Sequence, residues 1–152
     1  MSRAFVKETE DVEDLPDRPI SDLPNDVTAE GLNRIEQALA AAEAAQAAAQ
    51  SSGDSAAEAS ARRDLRYWSA RRATARVAPE PAGNSVVRLG HTVTIVREDD
   101  RRQTFRIVGE DEADPAHGTI SHASPLARAL FGKATGDVVA IAGGEAEILE
   151  IR

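Results

Sequence analysis

Apolar residues spaced alternately three and four apart occupy most of residues 27–78, and that spacing suits paired helices better than any strand. The first helix is expected from Thr28 to Gln50, with Leu32, Ile35, Leu39, Ala42, Gln46 and Ala49 on its seam. Thr28 is a suitable N-cap, Glu30 favours the positive helix end, and Val27 and Leu32 fall at the positions of a hydrophobic staple. The alanine-rich run Ala38 to Ala49 favours helix and permits close approach of a partner helix. The second helix is expected from Ser55 to Val77, with Ala61, Leu65, Trp68, Arg72 and Ala75 on its seam and Pro79 and Pro81 beyond it. Ser51-Ser52-Gly53-Asp54 reads as a tight turn that makes the two helices antiparallel neighbours. Each would be roughly 35 Å long at 1.5 Å per residue.

The tip of this hairpin carries Asp54 and Glu58. Two carboxylates there have the chemistry to hold a divalent cation or orient a water. The same residues also fit plain capping, with Ser55 as N-cap, Glu58 at N3 of a capping box and Asp54 in the turn. The second helix bears Arg62, Arg63, Arg66, Arg71, Arg72 and Arg76 with Asp64 as its only interspersed acid. Arg62, Arg66 and Arg76 are expected away from the seam. Such a stripe either balances an acidic segment elsewhere or meets nucleic-acid phosphate or an acidic protein surface.

Residues 1–24 supply an acidic segment: Glu8, Glu10, Asp11, Glu13, Asp14, Asp17 and Asp22 against Arg3, Lys7 and Arg18, broken by Pro16, Pro19 and Pro24. High charge with proline predicts a disordered leader, in which Ala4, Phe5 and Val6 are the residues with a capacity to dock. The net charge of −8 argues against a free-standing binder of duplex nucleic acid. No cysteine is present, so neither disulfides nor thiolate chemistry enter. Without a signal-peptide core or an apolar stretch of membrane-spanning length, a cytoplasmic location is expected.

Residues 79–84 read as a linker, and from there the period changes to two. Strands are expected at Val86–Val96, bulged at Gly90, and at Gln103–Val108, with a loop at Gly109–Gly118 and a short strand at Gly118–Ser121. Ser124 and Pro125 open a short helix that Gly132 ends, and Val138–Ala142 and Glu145–Ile151 form a hairpin around Gly143-Gly144. The fold class is α+β: a coiled-coil hairpin at 25–78 followed by a small antiparallel-sheet domain with one short helix at 85–152. His91, His117 and His122 lack metal-ligand spacing, and no nucleophilic triad or phosphate-cradling glycine loop is visible.

Several segments resemble the bacterial Gre-type (GreA/GreB family) transcript cleavage and elongation factors. Phe105-Arg106-Ile107-Val108-Gly109-Glu110-Asp111-Glu112 is similar to the family's (F/Y)RIVG-x-DE. The run from Ile120-Ser121 through Ser124-Pro125-Leu126-Ala127-Arg128-Ala129-Leu130 to Gly132-Lys133 is similar to IS-x-x-SP-x-AR-(A/G)-L-(L/I)-G-K, and Gly136-Asp137 follows. Asn25-Asp26-Val27-Thr28-Ala29-Glu30-Gly31 is similar to the N-x-(I/V)-T-x-EG that opens the family's first helix. The resemblance implies an FKBP-like C-terminal domain that docks on RNA polymerase at its secondary channel, with Ser124, Pro125, Leu126, Ala127, Arg128 and Leu130 as docking candidates. It implies a hairpin that enters the channel, where Asp54 and Glu58 help hold the second Mg²⁺ and a water while the polymerase's own active site cuts backtracked RNA. The chain would then be no enzyme itself, would bind no cofactor stably, would share the polymerase's Mg²⁺, and would meet RNA or DNA only within the elongation complex. A monomer is expected. Arg62, Arg63, Arg66 and Arg76 become candidates for nucleic-acid contact.

The tip departs from the family pattern GD-x-x-EN-A-(D/E)-Y. Gly53-Asp54 is kept, Glu58 lies one residue further along, and the Asn and Tyr are missing. The hairpin is shorter by a turn or two per helix, on the order of 5–10 Å, and Ala123 stands where a polar residue is common. A cleavage-silent channel regulator, like the short-hairpin regulators of nucleoside diphosphate kinase, is the alternative. A prolyl isomerase, suggested by the fold alone, has only Phe105 and Phe131 to line a pocket.

Overall fold

The computed structural model describes residues 14–152, so the leader's Ala4, Phe5 and Val6 and its acids before Asp14 lie outside the described residues. The chain separates into two compact units, one formed by the described residues up to Ser21 with Glu36–Ala73, the other by Asp22–Ile35 with Thr74–Arg152.

The helical hairpin consists of α1 (Ala29–Ser52) and α2 (Ser55–Thr74). Thr28 caps α1 as expected, its Oγ1 accepting the Gly31 N–H at 3.0 Å and its carbonyl the Leu32 N–H at 3.0 Å. The α1 seam is found where the spacing put it: Ile35, Ala42 and Ala49 are buried, and Leu32, Leu39 and Gln46 half-buried. On α2, Ala59 and Ala61 are buried and Leu65 and Trp68 half-buried. Arg72, expected on the seam, is exposed and pairs with Glu36 at 2.9 Å. Arg71 is the buried arginine, 2% exposed. Gln50 hydrogen-bonds Glu58 at 3.3 Å, so the Glu36–Arg72 and Gln50–Glu58 contacts hold the two helices in one antiparallel register.

The expected second helix runs too long. It ends at Thr74, and Arg76–Val77 (β2) pairs in parallel with Asp26–Val27 (β1). The Arg76 N–H donates to the Asn25 carbonyl and the Ala78 N–H to the Val27 carbonyl, each at 2.9 Å. These long-range bonds outcompete one more helical turn, so Ala75 and Arg76 are not helical.

The second unit also holds a five-stranded sheet in the order β5-β4-β3-β7-β6, from β3 (Thr92–Arg97), β4 (Arg102–Val108), β5 (Thr119–Ser121), β6 (Val138–Ile141) and β7 (Gly144–Ile151). All neighbours are antiparallel except β5, which pairs in parallel with β4, against the expectation of a wholly antiparallel sheet. A 3₁₀ turn at Pro115–His117 lies in the connection between them. The core joins Val93, Ile95, Phe105, Ile107, Val139, Ala146, Ile148 and Ile151 to Ala127 and Leu130 of the short helix α3 (Pro125–Leu130). Ser124 caps α3, its Oγ accepting the Ala127 N–H at 3.2 Å, with Pro125 in the first turn.

The first sheet strand begins six residues later than the alternation suggests. Val87 exchanges backbone hydrogen bonds with Gly132 and Lys133 instead of joining β3, and Gly90 (φ 97°) turns the chain. His91 pins that turn: its Nδ1 accepts the Arg88 N–H at 2.9 Å, which leaves Nε2 to donate to the Gly83 carbonyl at 2.6 Å. The β6–β7 turn falls on Ala142-Gly143, one residue earlier than read.

Candidate functional site

The tip of the hairpin is built from two interlocked caps. Gly53, at φ 68°, ends α1, and its N–H donates to the Gln50 carbonyl at 3.4 Å. The Asp54 N–H donates to the Ala49 carbonyl at 3.1 Å, which completes a Schellman motif. Asp54 then opens α2: its carbonyl accepts the Glu58 N–H at 2.9 Å and its Oδ1 the Ala57 N–H at 3.0 Å. Asp54, not Ser55, is therefore the N-cap, and the capping box read from the sequence does not form. The left-handed Gly53 brings the chain to its reversal one residue earlier than a Ser55 cap requires.

Freed from a capping box, Glu58 turns to side chains. Its Oε1 accepts from Arg62 Nη2 at 2.9 Å and from Gln50 Nε2 at 3.3 Å. The hydrogen bond from Arg62, then that from Gln50, holds the Glu58 carboxyl below its ordinary range, against a small opposing effect of desolvation. The Arg62 guanidinium is correspondingly held more firmly protonated, first by its hydrogen bond to Glu58. The Glu58–Arg62 spacing of four was visible in the sequence as a helix pair. Gln50 as the third member was not, because it comes from the other helix. Among the described residues no group of three His, Cys, Asp or Glu could hold a metal ion. The tip offers two hard oxygen ligands, each with one oxygen already accepting, so a Mg²⁺ placed there would need further ligands from a partner.

The other candidates separate clearly. Arg63 is half-buried and 3.6 Å from Asp64, whereas Arg62 and Arg66 take part in further pairs. Arg76 lies in β2 and pairs with Asp26 at 2.9 Å, so it is not part of the α2 stripe. Of the docking candidates on α3, Ala127 and Leu130 are fully buried, Leu126 packs against the core, and the Ser124 hydroxyl is committed to its cap. Pro125 and Arg128 are the exposed members. His117 bonds Asp114 at 2.6 Å, and His122 opens the turn before α3 with its N–H on the Val108 carbonyl.

Residues 82–152 match the family model described as transcription elongation factor, GreA/GreB, C-terminal. The transcription elongation factor GreA of Hyphomonas neptunium is 53% identical over 74 residues, covering 45% of this chain and 47% of that protein. GreA of Paracoccus denitrificans is 49% identical over 74 residues, with the same coverage of 45% and 47%. Among solved structures, the GreA/GreB factor from Nitrosomonas europaea aligns at 21% identity with a TM-score of 0.41, over 85% of this chain and 98% of that one. The match to the GreA/GreB C-terminal family lies in the segment from residue 82 onward, which follows the helical hairpin in sequence. The sequence match spans about half the length of these curated relatives. Among the described residues no helix is long and apolar enough to cross a membrane.

Proposed function

We propose that this protein is a transcription elongation factor that binds RNA polymerase at its secondary channel and acts on stalled or backtracked complexes through the hairpin tip. The GreA/GreB C-terminal domain would supply the dock, with Pro125 and Arg128 as its exposed contacts on α3, and the hairpin would supply the probe. The observation that carries this reading is the conjunction of that domain with a two-helix hairpin whose reversal presents Asp54 and Glu58. In a cleaving mode these carboxylates would complete the coordination of the polymerase's second Mg²⁺, which polarises water for in-line attack on the RNA phosphate. The factor itself would be no enzyme. Arg62 and Arg66 would meet the phosphates of extruded RNA.

A second reading is favoured by one specific contact. Glu58 is held by Arg62 and Gln50, and a carboxylate so engaged is a poorer metal ligand. On that reading the hairpin regulates the channel by occupancy, without cleavage. A backtracked elongation complex decides between them. Shortened transcripts that disappear with Asp54→Asn and Glu58→Gln mark cleavage. An altered pause lifetime that survives both substitutions marks occupancy. A chain that leaves the complex untouched refutes both.

A further inference from the structure

The arginine face of α2 is already occupied by the chain's own leader. Arg62 Nη1 lies 3.1 Å from Asp14 Oδ1. Arg66 Nε donates to Asp17 Oδ1, and Arg66 Nη2 to the Leu15 carbonyl at 2.9 Å. At the next position the sign of the pairing reverses: Arg18 of the leader reaches Asp64 of α2 at 3.4 Å. The Arg18 guanidinium also sits 3.9 Å from the centre of the Tyr67 ring and 5.4 Å from that of Trp68, and these two rings meet edge-on at 4.9 Å. Residues 14–18 therefore follow α2 in a defined register, with acids against arginines and an arginine against Asp64.

These contacts are specific but weakly anchored. The Asp14 and Asp17 side chains are 60% and 75% exposed, and Leu15 and Ile20 remain exposed, so among the described residues little apolar burial holds residues 14–20 down. Carboxylate and phosphate engage a guanidinium by the same charge-assisted hydrogen bonds, and a polyphosphate strand carries the higher charge density.

We propose that residues 14–18 are an internal competitor for nucleic-acid phosphate on the Arg62–Arg66 face of α2. The leader keeps this face from binding stray polyanions, and it yields where single-stranded RNA is presented at high local concentration. The proposal rests on the reading that Arg62 and Arg66 contact RNA, and it adds the regulation of that contact.

The test uses the full chain, without polymerase, and a fluorescent single-stranded RNA oligonucleotide at fixed low salt, read by anisotropy. Asp14→Asn with Asp17→Asn preserves side-chain shape and lies in a segment without helix or strand. This double variant should bind the RNA roughly threefold to tenfold more tightly than the native chain, as expected for removal of two exposed ion pairs. Arg62→Ala with Arg66→Ala, added to it, should abolish the gain. Trp68, the only tryptophan in the chain, should change its emission as RNA displaces Arg18 from the native protein. The proposal is overturned if neutralising the two aspartates leaves the affinity unchanged, if the gain persists without the arginines, or if an acidic peptide but not RNA competes for the face. If the arginine substitutions weaken RNA binding while the aspartate substitutions do nothing, the competitor fails and the RNA contact stands. If the arginine substitutions have no effect in any background, the RNA contact itself fails.

Discussion

The Thr28 hydroxyl donates to the Glu112 carboxylate at 2.6 Å across 84 residues of sequence, while its oxygen accepts the Gly31 N–H at 3.0 Å. Both side chains are buried, Thr28 at 6% and Glu112 at 5% exposure. One hydroxyl thus caps α1 and ties the start of that helix to the turn after β4. A hydrogen bond to a buried charged group contributes about 1.5–3 kcal/mol. A double-mutant cycle of Thr28→Ala and Glu112→Ala, read by urea unfolding, should give a coupling energy in that range; a value near zero would show that the contact contributes nothing.

Gly31 is part of the same arrangement. A Cβ there would lie 2.7 Å from Glu112 Oε2 and 3.3 Å from Thr28 Oγ1. In an open helix Gly31→Ala would stabilise by about 1 kcal/mol. Here the carboxylate is held in place, so the substitution should instead destabilise by about 1–2 kcal/mol. Combination with Glu112→Ala should restore the helix gain, and thermal melts of the three variants check this.

The hairpin reversal depends on Gly53, whose φ of 68° is the left-handed conformation that side chains resist. Gly53→Ala should cost about 1–2 kcal/mol, although a Cβ there meets no atom within 4 Å. The loss should register as faster amide exchange from Ala49 to Ala57, with the sheet core unaffected.

Asp54 has a dual position as cap and candidate ligand, and isosteres separate the two. Asp54→Asn keeps a good N-cap, whereas Asp54→Ala removes it at a cost of about 1 kcal/mol. If Asp54 acts through its charge on the polymerase, Asn and Ala should be equally inactive in transcript shortening. If its only role is the cap, Asn should behave as the native chain.

Glu58 has a pH signature. Its carboxyl titrates below the ordinary value because Arg62 and Gln50 hydrogen-bond its ionised form. A depressed carboxyl pKa contributes stability above the unfolded value of about 4.5, and that contribution is lost as pH falls through the lower folded value. Carboxyl NMR should place the Glu58 midpoint below that of an exposed glutamate, and Arg62→Ala should move it back up.

The hairpin was readable from sequence because Leu32, Ile35, Leu39 and the alanines keep one spacing, and because Thr28, Gly53 and Pro125 punctuate locally. What escaped was decided by distant partners. The end of α2 at Thr74 depends on backbone bonds from residues 76–78 to 25–27, which leave no periodic trace. The cap shifted from Ser55 to Asp54 because two good capping residues are adjacent and the Gly53 geometry chooses between them. Val86 to His91 alternate like a strand, yet Val87 bonds to residues 132–133 and His91 to Gly83. At the candidate site, the carboxylates and arginines were legible as residue types. Their mutual engagement was not, since Asp14, Asp17 and Gln50 meet Arg62, Arg66 and Glu58 only in three dimensions.

The most direct measurement places the full chain on bacterial RNA polymerase halted in a backtracked complex, with affinity and transcript length followed together. Saturable binding that a second secondary-channel ligand displaces is expected, with a change in the fate of the stalled transcript that Arg128→Glu weakens through the dock. A chain with no affinity for the polymerase, or one whose binding is indifferent to a channel competitor, would contradict it.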